Sequence, residues 1–84
     1  MSFVVTDVSR GDIHLSDGSR KARVQGEGLL VSKPADPAFV VYLNTINELE
    51  SEGKKESLSD ADRQQIIEAI KAYFSRRGMV VDFE

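Results

Sequence analysis

Apolar and polar residues alternate from Phe3 to Val8, a run rich in β-branched side chains, and a period of two predicts a half-buried strand. Ser9-Arg10-Gly11-Asp12 reads as a turn, and Ile13-His14-Leu15 resumes the alternation. Asp17-Gly18 is a hairpin signal, because both residue types tolerate positive φ. The returning strand is Lys21 to Gln25, with Ala22 and Val24 matched to the face that carries Ile13 and Leu15. Gly26 marks a bulge or a bend, and Leu29 to Val31 is a short apolar run. Pro34 and Pro37 make residues 33–37 a loop.

Phe39 to Leu43 is apolar on both faces and predicts a central strand. Asn44 to Leu49 reads equally as strand or helical turn. Glu50 to Ser57 is polar, contains Gly53 and reads as an exposed loop. The spacing of Ile66, Ile67, Ala69, Ile70, Tyr73 and Phe74 predicts a helix over about residues 60–77. Ser59 is its N-cap, with Asp62 three residues on in a variant capping box, and Gly78 is its stop. Residues 79–83 alternate again and close the chain as a strand. Strands, then one long helix, then one strand predict an α+β fold: a single small domain over residues 1–84, a mostly antiparallel sheet of about four to six short strands, and the helix packed on one sheet face.

Composition narrows the function. A chain of 84 residues has room for a thin core only, burying roughly 60–65% of its unfolded surface. It has no cysteine, which excludes disulfides and cysteine-based zinc sites and fits a reducing cytoplasm. No leader or membrane span is visible at Met1 to Asp7, so the expected location is cytoplasmic, without membrane association. The net charge of −3 argues against nucleic acid as a partner. Glycines in Gly26-Glu27-Gly28 lack the strand-to-helix context of a phosphate loop. His14 is the only histidine and sits on the opposite strand face from Ile13 and Leu15, which is a solvent-facing position rather than a catalytic or metal site. Arg10-Gly11-Asp12 reads as a turn, and Arg20, Lys21 and Arg23 as a solvated strand face. No cofactor, no metal and no enzymatic activity are expected.

The charge is uneven. Residues 1–32 carry four acids and four bases, whereas residues 43–62 carry six acids, Glu48, Glu50, Glu52, Glu56, Asp60 and Asp62, against two lysines. Two readings stand: a solvated linker, or a surface that steers a basic partner into contact.

The chain also resembles the immunity protein 74 family of bacterial polymorphic toxin systems. The resemblance runs from about Ile13 to Glu84. It rests on the order of Ile13-His14-Leu15-Ser16-Asp17-Gly18, Val24 to Leu30, Phe39 to Ile46, the helix block Ile66-Ile67-Glu68-Ala69-Ile70 and the terminal Val80-Val81-Asp82-Phe83-Glu84. After Asn47 the family pattern of an aromatic followed by a proline-containing segment is replaced by Glu48-Leu49-Glu50 and a Lys/Glu-rich stretch. The resemblance implies a non-catalytic protein that binds and neutralises a cognate toxin domain; the six acids, singled out by their charge, are the candidate contact residues. The competing expectations are a structural or regulatory interaction domain, which includes a homodimer through a strand edge, and a small enzyme with a pocket of converging titratable groups.

Overall fold

The first hairpin turns at Gly18-Ser19: the Asp17 amide donates to the Arg20 carbonyl at 3.1 Å, and of Asp17 and Gly18 only Gly18 adopts positive φ. In the computed structural model, which describes residues 3–84, strand β1 (Val4–Val8) pairs antiparallel with β2 (Asp12–Ser16), and β2 with β3 (Lys21–Gly28). The β2–β3 register sets Ile13 against Val24 and Leu15 against Ala22, the match expected from the alternation. All four face the core. A bulge at Thr6 lets β1 keep Val5 and Val8 inward, opposite Leu15 and Ile13.

Strand β3 is the hub of the fold. Along Lys21 to Gln25 it pairs with β2. On its other edge its C-terminal end pairs with β4 (Pro37–Val41), and Lys21 and Ala22 pair with β5 (Glu48–Ser51). Strand β4 lies between β3 and the parallel β7 (Val80–Phe83), the central position expected for the Phe39 run. The chain leaves β4 through a 3-10 turn (Leu43–Thr45). Thr45 occupies the fork of β3: its Oγ1 accepts from the Gln25 amide at 2.9 Å.

Three local readings are corrected. Residues 50–57 are not a loop: Glu48–Ser51 and β6 (Lys54–Ser57) form an antiparallel hairpin, which raises the strand number to seven. Its turn residues Glu52 and Gly53 both have positive φ, 52° and 79°, as a tight two-residue hairpin requires. Gly26 carries no bulge, since the register on either side of it is unbroken. A Cβ there would overlap the Val40 carbonyl and the Phe39 ring, so glycine is needed for close approach. Pro37 begins β4 instead of closing the loop, a strand position that proline tolerates.

Helix α1 (Asp60–Arg76) starts at a reciprocal cap. The Asp62 amide donates to Ser59 Oγ at 3.1 Å, and the Ser59 amide donates to Asp62 Oδ2 at 3.2 Å. It ends where Gly78, at φ 67°, turns the chain and its amide donates to the Ser75 carbonyl. Ile66, Ile70 and Phe74, one turn apart, are buried against the sheet, and Phe74 stacks on Phe39 with ring centroids 5.7 Å apart. The result is an α+β domain with one helix on one face of a curled, mixed sheet. Among the described residues no helix covers the opposite face.

Candidate functional site

The helix-free sheet face is where polar chemistry collects. The side chains that alternate with the core residues project there, and strand pairing sets them in rows. Asp7, His14 and Arg23 are neighbours across β1, β2 and β3, and Lys21, Glu50 and Lys55 are neighbours across β3, β5 and β6. The fork of β3 opens a cleft of ≈ 530 Å³ in this face. It is lined by His14, Lys21, Arg23 and Gln25 from β2 and β3, by Asn44, Thr45 and Asn47 from the 3-10 segment, and by Glu48, Glu50 and Lys55 from the hairpin.

The charges on this face are mostly matched. Arg23 Nε donates to Asp12 Oδ1 at 2.9 Å, and Lys55 Nζ lies 3.9 Å from Glu48 Oε2. The guanidinium of Arg23 is held more firmly protonated by that hydrogen bond. Glu50 stands in register with a lysine on either side, which lowers the cost of packing like charges in one strand. Such a face presents donors, acceptors and both signs of charge in fixed positions, the properties of a surface that recognises another polar surface.

The six acids of residues 43–62 are not brought together. Glu48 and Glu50 line the cleft. Glu52 is exposed at the hairpin turn, and Glu56, exposed, pairs with Leu49 on the other face of the hairpin. Asp60 is exposed in the first helical turn. Asp62 is engaged internally by the cap and by Arg20, whose Nη2 lies 3.2 Å from its Oδ1. Those partners hold the Asp62 carboxyl below the usual carboxylate range, the Ser59 amide first and the guanidinium after it.

Cleft residues Asn44, Thr45, Asn47 and Lys55 were not foreseen. The readable signal is Glu52-Gly53 between two four-residue runs, with Glu50 facing Lys55 in hairpin register. His14 is exposed on β2 at the edge of the cleft. No group of three or more metal-binding side chains occurs among the described residues. No helix among them is long and apolar enough to cross a membrane.

These features define a small α+β protein with one open, charge-patterned sheet face. The Immunity protein 74 family model matches residues 5–84, essentially the whole chain, and the protein belongs to that family. No curated protein and no solved structure matches the chain.

Proposed function

We propose that this protein binds a cognate toxin domain in the cytoplasm of the cell that makes it, and neutralises the toxin by occupying its surface without catalysing a reaction. The observation that carries this reading is the family match over residues 5–84, since immunity proteins protect by binding. The geometry supports it with a helix-free face whose polar side chains are pre-arranged by strand register. A rigid sheet loses little entropy on docking, so more of the contact energy appears as affinity.

Glu48, Glu50, Glu52, Glu56, Asp60 and Asp62 supply an acidic field at the hairpin end of the molecule. We assign to them the steering of a basic toxin surface, with Glu48 and Glu50 as direct contacts. Long-range attraction does not need the acids to touch one another. Asp62 contributes least, because Arg20 neutralises it locally.

The test takes a toxin domain found in the gene adjacent to this one, co-expresses it with this protein and titrates the two purified proteins. A complex and rescue from toxicity are expected. Absence of both overturns the reading.

A further inference from the structure

The loop between β3 and β4 carries the most exposed large apolar side chain in the described residues. Leu30 is 98% exposed, Val31 51% and Leu29 39%, three consecutive apolar residues left in water. Single exposed leucines are ordinary, but a contiguous run is a mark of contact surfaces.

The loop is also pinned. At its base the Gly28 amide donates to the Arg10 carbonyl at 2.8 Å, and the Leu29 amide donates to the Ala38 carbonyl at 2.9 Å. Beyond the apolar run, the Asp36 carboxylate accepts from the Ser32 and Lys33 amides at 3.2 and 3.0 Å, and the Asp36 amide donates back to the Lys33 carbonyl. Pro34 restricts the backbone between them. An ordered loop that holds leucine out in water has part of its binding entropy already met.

We infer that residues 29–31 are an anchor, with Leu30 filling an apolar pocket on the toxin domain; this rests on the toxin-binding reading above. The tip is convex, so its occupant must be concave. The β3 cleft of a second copy, lined mostly by polar and charged residues such as Arg23, Glu48 and Glu50, is a poor receptor for a leucine. Arg10 at the loop base and Lys33 beside the tip are both exposed, and they match a pocket rimmed by carboxylates. This end is remote from the acidic hairpin. β5 pairs at Lys21 and the loop leaves at Gly28, which separates them by roughly 23 Å along β3 in a molecule 41 Å long. The anchor is therefore a second contact, distinct from the acidic end.

The experiment compares the full chain with Leu30→Ala, Leu30→Met and Leu30→Asp in titrations against the toxin domain used in the co-expression test. Circular dichroism and the unfolding midpoint are measured in parallel, and both should be unchanged because Leu30 has almost no buried surface. Binding should weaken about tenfold for Leu30→Ala and about a hundredfold for Leu30→Asp, with Leu30→Met close to the parent. If the parent binds and all three variants bind equally, the anchor is refuted while toxin binding stands. If the parent itself does not bind, both fall. If sedimentation shows a parent dimer that Leu30→Asp dissociates at unchanged toxin affinity, the occupant is a second copy and the inference is wrong.

Discussion

Arg20 clasps Asp62 across 42 positions of sequence. Its Nη1 and Nη2 donate to Asp62 Oδ2 and Oδ1 at 3.3 and 3.2 Å, while its Nε donates to Asp17 Oδ2 at 2.9 Å. One guanidinium thus ties the turn of the first hairpin to the first turn of the helix. It also lies over the Phe3 ring, 5.5 Å from the centroid. Its proton is held more firmly, first by Asp17 and then by Asp62. The helix is therefore docked on the sheet at its N-terminal end by a charged clasp as well as by Ile66, Ile70 and Phe74.

Replacing Asp62 by Ala removes half of the capping box and one arm of this clasp together. Stability should fall by about 1–2 kcal/mol, read from the urea midpoint at unchanged slope. Asp62→Asn, which keeps an acceptor, should lose less. Equal losses for the two variants would mean that the charge matters and the cap does not.

Acid should loosen the same corner. The Asp17 carboxyl is lowered from 3.8 to about 2, mainly by the amides of Arg20 and Ser19, and Asp62 is lowered as well. Because the folded chain holds these protons off, the unfolded chain binds more protons between the two values. The stabilisation is complete above pH ~4 and drains away as the pH falls toward about 2. Denaturation midpoints measured from pH 6 to pH 2 should drop across that window. In Asp17→Asn the drop should be shallower.

Two glycines on β3 should respond differently to alanine. At Gly26 the added methyl meets the Val40 carbonyl and the Phe39 ring, while at Gly28 the nearest atoms are 3.7 Å or more away. Gly26→Ala should cost about 1–3 kcal/mol through displacement of Phe39 from its stack on Phe74, and Gly28→Ala should be nearly neutral. Thermal unfolding of the pair checks this directly.

Steering has a kinetic signature. Changing Glu48, Glu50, Glu52 and Glu56 together to Gln should slow association with a basic toxin about tenfold at low salt and much less at physiological ionic strength, with a smaller effect on dissociation. Stopped-flow association rates across a salt series read it. Identical rates at low salt would remove the acids from the encounter step.

Much of the fold is legible along the chain because its signals are local. Alternation with Asp17-Gly18 identifies the first hairpin, and the period of Ile66 to Phe74 between Ser59 and Gly78 identifies the helix. The β5–β6 hairpin escaped because its strands are polar. Within it only Leu49 is buried, so no alternation of burial announces it, and β6 is exposed along its whole length. Its pairing is stabilised by turn geometry, by Glu50 facing Lys55 and by the edge of β3. The candidate face was half legible: His14 and Arg23 were readable as outward, whereas their meeting with Asn44, Thr45 and Lys55 was not.

The α+β class, the single capped helix and the register of the first hairpin are thus written in the chain itself. These follow from side-chain periodicity and backbone preference over a few residues. The folded chain alone decides that β3 forks between β4 and β5, that β7 runs parallel beside β4, that Arg20 reaches Asp62, and that the acidic stretch becomes a hairpin and a helix start with its acids dispersed. Each of these depends on which distant strand edge is free when the chain collapses, and no local pattern encodes that choice.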